Sequence, residues 1–299
     1  LCNFSFQSLP MKQFISLAFG SGAFIVLVLS CHKSVSDNPL QQTTDSTTSV
    51  QQVPVPHELQ TQCDSGPDYG DSIVYQQPTT GSDYFISPVN NPGSGQFLSW
   101  PQGLVIDPST GTINISKSGA GQRYLVGFIK TGSKDTCVRK LIVGGTSYID
   151  SVYDLNASNY SATPYYNANP NTPSPCDGSS GTGSGCKFVS RYKILGKELT
   201  LDEKTGVINL QKTFINGIFG PLPFNGETVI ATIDYTLDDN SNGAQQTMQL
   251  KFIYYNRRFD IPSHVLDDLT HSRESIESDD AGSGTTNLRP PLIIITRNK

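Results

Sequence analysis

One twelve-residue stretch occurs twice and constrains the fold more than any other feature of the chain. Leu104 to Ile115 reads LVIDPSTGTINI, and Leu199 to Leu210 reads LTLDEKTGVINL. Both copies run apolar-x-apolar, Asp, three residues, Gly, then x-Ile-Asn-apolar. Alternation on either side of a tight turn is the pattern of a β-hairpin. Asp107 and Asp202 stand where a carboxylate accepts a hydrogen bond from a backbone N–H two residues on. Pro108 presets the φ of a type I turn. Gly111 and Gly206 fall where a three-to-five-residue hairpin loop needs a left-handed residue. Turn capping therefore accounts for both carboxylates without a metal.

Other landmarks repeat around this hairpin. Asp150-Ser151-Val152-Tyr153 echoes Asp71-Ser72-Ile73-Val74-Tyr75, and Ser158-Asn159-Tyr160 echoes Ser82-Asp83-Tyr84. The hairpins are offset by 95 residues but the two tyrosines, Tyr84 and Tyr160, by only 76, so the second copy carries nineteen extra residues between them. That insertion falls on a Pro/Gly/Ser segment, Asn169 to Gly185. Alternating runs such as Tyr124, Val126, Phe128 and Val229, Ala231, Ile233, Tyr235 add strands to each copy. An order-preserving duplication of about seven short strands is the signature of tandem β-sandwiches. Charged residues make up 16 % of the chain, and Gly and Pro number 27 and 19, which disfavours a helical protein. A net charge of -5 with no Lys/Arg cluster argues against a nucleic-acid surface. The expected class is all-β, with sandwiches over 61–148 and 149–259, the second carrying an inserted loop at 169–186.

The N-terminal region has the order of an export signal. Met11-Lys12 precedes a sixteen-residue apolar run, Phe14 to Leu29, and Ser30-Cys31 closes it. The run is shorter than the roughly 18 to 20 residues that span a bilayer. Leu27-Val28-Leu29-Ser30-Cys31 resembles the lipobox of bacterial lipoprotein signal peptides. The resemblance implies that Cys31 is lipidated and becomes the mature N-terminus, and that 1–30 comprises upstream residues and signal peptide. It also implies a protein of the bacterial cell envelope, since His32 rather than Asp follows the Cys, as suits the outer membrane. The partner so implied is the membrane itself, held by the N-terminal lipid anchor. Each buried CH₂ of an acyl chain contributes about 0.8 kcal/mol, so two chains give stable anchoring. Residues 31–60 are rich in Ser, Thr, Gln and Asp and lack apolar periodicity, which makes them a flexible tether in this reading.

Four further cysteines, Cys63, Cys137, Cys176 and Cys186, allow three pairings in an exported chain. Cys176 and Cys186 bracket nine residues and form the expected pair, leaving Cys63 with Cys137. No CxxC spacing supports a zinc site.

Trp100-Pro101-Gln102-Gly103-Leu104, running on through Asp107 to Gly111 and later Gly121-Gln122-Arg123-Tyr124, resembles the Ig-like domains of bacterial surface proteins, a core shared by cadherin-like repeats. The second copy lacks the Pro-x-Gly lead. The resemblance implies two tandem Ig-like β-sandwich domains at a cell surface. The acidic calcium motifs of cadherins are not found; Asp150, Asp234, Asp238 and Asp239 are the acidic candidates.

The tail, 260–299, is distinct. A short helix is expected from Asp260 to Leu269 with Val265, Leu266 and Leu269 as its apolar side. Leu292-Ile293-Ile294-Ile295-Thr296 reads as a strongly β-prone strand, expected to pair with an edge strand of the sandwich or, less favoured, with a partner chain.

Catalytic signals are sparse. The chain has four histidines, His32, His57, His264 and His271, and no HExxH, GxSxG or P-loop pattern. No catalytic residue, cofactor or metal is expected. Exposed aromatics are the best binding signal: Tyr160, Tyr165 and Tyr166 beside the insertion, and Trp100, suit sugar stacking or protein contact. The same residues also suit core packing for Trp100 and a sheet-edge cover for the tyrosines. The sequence thus points to a lipid-anchored, non-catalytic binding, adhesion or structural module of the envelope, its partner a glycan or an envelope protein. The alternatives are a glycan-binding surface lipoprotein and, less favoured, a carbohydrate-active enzyme, whose carboxylate pair has no fixed sequence spacing. Replacing Cys31 with Ser should abolish metabolic acyl labelling of the protein; undiminished labelling would contradict the lipobox assignment.

Overall fold

Two copies of the Asp–Gly turn anchor a mostly β structure with two α-helices among the described residues. The computed structural model describes residues 66–157, 160–178, 185–194, 196–277 and 290–297, all within one compact unit, Gln52–Lys299. The expected signal peptide, Cys31, the expected tether and Cys63 lie outside the described residues.

The first repeat contains β1 (Ile73–Val74), β2 (Phe85–Ile86), β3 (Gly95–Trp100), β4 (Ile113–Asn114), β5 (Gln122–Lys130) and β6 (Thr136–Val143). Its main sheet has the order β1-β6-β5-β3, and β2 pairs with β4 in a second, smaller layer. The layers meet through Leu104, Ile113 and Ile115 on one side and Tyr124, Val126, Leu141 and Val143 on the other. Alternate residues of β5 supply a second cluster on the outer face, where Trp100 packs with Leu98, Leu125 and Val138.

The second repeat begins with β7 (Thr146–Tyr148), β8 (Ser151–Asp154), β9 (Ser161–Ala162) and β10 (Pro164–Tyr166). It continues with β11 (Lys187–Ser190), β12 (Lys193–Ile194), β13 (Lys197–Glu198), β14 (Ile208–Asn209), α1 (Leu210–Ile215), β15 (Glu227–Thr236) and β16 (Gln246–Tyr255). The chain closes with α2 (Ser263–Glu277) and β17 (Leu292–Thr296). Tyr148 sits in the second core, so the expected boundary after residue 148 moves ahead of β7.

The hairpin turns are the same to the level of single hydrogen bonds. Asp107 Oδ1 accepts from Ser109 N and Thr110 N, each at 2.8 Å; Asp202 Oδ1 accepts from Lys204 N at 3.0 Å and Thr205 N at 2.8 Å. Those N–H donors hold both carboxyls below the usual carboxylate range. Gly111 and Gly206 are left-handed, at φ +71° and +74°. A Cβ on Gly111 would stand 2.5 Å from the Phe97 ring, and one on Gly206 2.8 Å from the Phe188 ring. A tyrosine hydroxyl donates to each glycine carbonyl, Tyr69 to Gly111 and Tyr148 to Gly206. The asparagine after each turn caps a helical segment: Asn114 accepts from Lys117 N, and Asn209 from Lys212 N at the start of α1.

The sheets differ in one respect. In the first repeat β1 pairs directly with β6, Val74 opposite Val143. In the second the order is β11-β15-β16-β17-β8. Gly121 N donates to Val143 O and Gly226 N to Tyr254 O, which makes Val143 and Tyr254 equivalent. Opposite Tyr254 stands Ile295 of β17, so the terminal strand occupies the place of β1. The strand β8, which echoes β1 in sequence, is displaced one position outward and pairs with β17 instead. The expected pairing with an edge strand is present, to β8, but β17 also pairs with β16 on its other side and is therefore an interior strand, parallel to both neighbours. Ile293 and Ile295 enter the second core, while Leu292 and Ile294 pack under Val265, Leu266 and Leu269 of α2. Covering on both faces explains an uninterrupted apolar run where a half-buried strand would alternate. Asp150, buried at 2 % exposure, accepts from Leu292 N at 2.6 Å and fixes where the strand begins.

Polar contacts join the repeats. Asn167 donates to the Tyr75 hydroxyl at 3.0 Å, Gln77 to Asn240 O at 2.8 Å, and Arg123 to Ala168 O at 2.9 Å.

Gly206→Ala should cost more than about 2 kcal/mol in urea unfolding, since the left-handed φ and the ring clash add. Asp202→Ala should cost roughly 1 kcal/mol, and its effect should add to that of Asp107→Ala, which lies in the other repeat. Because both carboxyls are depressed, their contribution is present above the ordinary carboxylate range and is lost as pH falls through the lowered values. Deleting Leu292 to Lys299 should abolish cooperative unfolding of the second repeat, read by loss of hydrogen-exchange protection in β16 while β5 stays protected.

Candidate functional site

The sequence candidates do not converge on a surface. Tyr165 and Tyr166 lie in β10, paired with β7, and are 6 % and 4 % exposed. Burial pushes the Tyr165 hydroxyl up to about 12. Tyr166 packs in the second core, where the Cys176 and Cys186 side chains also lie, and its hydroxyl accepts from Ser174 Oγ at 3.3 Å. Tyr160 is half-buried against the same core. Trp100 is 7 % exposed, its ring laid over Gly127, where a Cβ would come within 2.7 Å. The expectation of exposed stacking rings is therefore corrected. Loop composition marked Tyr165 and Tyr166 as surface, but both are buried in β10, which pairs with β7.

The expected Cys176–Cys186 disulfide is present, with Cα atoms 5.2 Å apart. Cys137 is also disulfide-bonded, and its expected partner Cys63 lies outside the described residues. The acidic candidates for calcium are dispersed and engaged within the protein. Asp150 holds Leu292 N, Asp234 pairs with Arg191 and accepts from Thr247, and Asp239 accepts from Ser241 N. Among the described residues, no three His, Cys, Asp or Glu side chains cluster as a metal site. None of the described helices is long and apolar enough to cross a membrane.

A cleft of about 530 Å³ opens in the second repeat, built by a departure from the duplication that lies beyond the landmarks the two copies share. From Asn114 to Gly121 the first repeat takes seven residues; from Asn209 to Gly226 the second takes seventeen. The ten extra residues lengthen a single 3-10 turn, Ile115–Lys117, into α1 and a loop. Leu210 and Thr213 bury one face of α1, and Thr213 Oγ1 accepts from Thr200 N at 3.0 Å. Left-handed Gly217 and Gly220 reverse the chain on either side of Ile218 and Phe219, which are buried at 1 % and 3 %. The loop is therefore pinned to the core and not merely draped over it. Beyond it Leu222 and Phe224 stand exposed, at 89 % and 66 %, beside Ile215 at 73 %.

The cleft lining joins three separate parts of the chain: Leu155 and Asn156 after β8, Lys197 of β13, and Arg297 after β17, together with Gln211, Phe214 and Asn216 of the α1 region. The Phe214 ring packs at a tilt against those of Tyr254 and Phe219, at centroid distances of 5.4 and 6.4 Å. The Arg297 guanidinium lies 5.0 Å over the Phe214 ring. Asn156 donates its amide to Arg297 O, and Arg297 N donates to Asn256 O, so the main chain that carries the cation is held on both sides. Burial raises the Tyr254 hydroxyl, and the charge of Arg297 pulls it the other way.

No known family model and no curated protein matches this chain. The chemistry of the cleft must therefore be judged from its own side chains. It offers hydrogen-bonding amides, two cations and apolar walls of Ile215, Pro221 and Pro223. That set can orient and hold a polar ligand; it brings together neither a nucleophile–base pair nor two carboxylates.

Proposed function

We propose that the chain is a lipid-anchored protein of the bacterial cell envelope, held at the outer membrane, that acts as a non-catalytic binding module. In this reading its two repeats are Ig-like β-sandwiches on a tether, and the second carries the ligand site. The carrying observation is the contrast between the copies. Both keep the same Asp–Gly turn, tyrosine cap and asparagine cap, yet the second adds a pinned loop and a cleft at the point where the first has a single 3-10 turn. A duplicated frame with one elaborated copy fits a spacer unit followed by a recognition unit. The lipobox resemblance at Cys31 supports the location.

The rival reading, in which the terminal strand is offered to a partner, is disfavoured by its position. Every residue of β17 is buried between β8 and β16 of its own chain. For the recognition unit we favour a glycan, because aromatic, amide and apolar groups line the cleft together. On a glycan array the protein should retain a subset of oligosaccharides and release no cleaved sugar. Gln211→Ala should weaken the retained signal several-fold. A blank array, or measurable turnover, would overturn the proposal.

A further inference from the structure

The charge of the cleft narrows its ligand. The protein as a whole carries a net charge of -5, yet among the described residues the cleft is lined by Lys197 and Arg297 and by no carboxylate. Neither cation is ion-paired among the described residues. The nearest acid in sequence to Asn156, Asp154, turns its Oδ1 to the Asn156 N–H at 2.9 Å. Arg297 is not a loose surface side chain, because its guanidinium rests on Phe214 and its backbone is bonded to Asn256. Lys197 belongs to the short β12–β13 pair, on the opposite side of the chain order from Arg297. Two cations from segments 100 residues apart thus share one concave site on an acidic protein. Local potential in such a cleft selects for negative charge more strongly than the net charge would suggest, because concave low-dielectric walls focus the field.

We infer that the cleft recognises an anionic sugar chain, its acidic groups held by Lys197 and Arg297 and its hydroxyls by Gln211 and Asn216. This rests on the glycan reading given above and specifies its class. Arg297 presents a planar fork suited to a carboxylate or sulfate, and Lys197 a compact charge in the same cleft. The apolar walls, Ile215, Pro221 and Pro223, suit the C–H faces of pyranose rings. Arg297 also reaches the cleft only because β17 is inserted beside β16, so the fold completes the site with its last strand.

The test uses the full chain and three probes: an oligogalacturonate, a sulfated galactan oligosaccharide and a neutral cello-oligosaccharide. The expected result is at least tenfold tighter binding of one or both acidic probes than of the neutral one, weakening steeply as salt is raised. Lys197→Ala and Arg297→Ala should each weaken acidic binding about tenfold and leave thermal unfolding nearly unchanged. Lys204→Ala, an exposed turn cation outside the cleft, should leave binding intact, which separates a specific site from general charge. Binding to the carboxylated probe alone or the sulfated probe alone identifies which acid the fork prefers, and either supports the inference. Equal binding of the neutral probe, or acidic binding untouched by both cleft variants, would overturn it while leaving the glycan reading in place. Failure of all three probes would overturn both.

Discussion

The second repeat depends on one strand that arrives last. β17 exchanges backbone hydrogen bonds with β16 on one side and β8 on the other, so neither neighbour is paired to the other without it. Its Leu and three Ile residues are 0 to 6 % exposed. At about 1.5 to 3 kcal/mol for each buried aliphatic side chain, their burial contributes roughly 6 to 12 kcal/mol, comparable with the net stability of a whole domain. That magnitude makes β17 integral to the core and not an appendage to it. It also makes α2 necessary, since Leu292 and Ile294 face outward and need Val265, Leu266 and Leu269 to cover them.

The duplicated turn does a different job. In each repeat it fixes the smaller layer against the main sheet, through a left-handed glycine under a phenylalanine ring and a tyrosine hydroxyl on the glycine carbonyl. A left-handed backbone and two contacts from other parts of the chain meet at one residue, so the turn tolerates little change. Freedom to vary lies immediately after it. The asparagine cap can start either one 3-10 turn or a full helix without disturbing the hairpin before it. The cleft arises from that choice: the same cap begins α1, and the loop beyond α1 returns to the frame at Gly226 as the first repeat does at Gly121.

Much of the frame was legible in the sequence because local chemistry determines it. The turn carboxylates, the left-handed glycines, the Cys176–Cys186 bridge and the apolar side of α2 all derive from spacing and residue type. The site was less legible. Tyr165 and Tyr166 lie among Pro and Asn residues that resemble a loop, but their pairing with β7 is a non-local contact that composition does not encode. Phe214, Lys197 and Arg297 carry no motif and meet only through tertiary structure. One signal was present and sufficient to find the region: the Asn-to-Gly spacing of seven residues in one copy against seventeen in the other. The longer insertion around the cysteines is the more conspicuous departure between the copies, and it overshadows this one.

The displaced strand shows how sequence echo and structural position come apart. β8 repeats the sequence of β1, yet β17 takes the corresponding register beside β16. Hydrophobic pattern decides between them. Ser-Val-Tyr-Asp in β8 carries a polar residue at each end and is half-buried throughout, as suits a strand at the edge of a sheet. Leu-Ile-Ile-Ile-Thr in β17 has no polar face to offer solvent and is buried at every residue. Placing β8 inside and β17 at the edge would bury the Asp154 carboxylate and expose a row of isoleucines, an arrangement unfavourable on both counts. The duplicated repeat therefore keeps its old strand, moved outward, and gains an interior one whose end delivers Arg297 to the cleft. Core completion and site assembly in this protein are a single structural event.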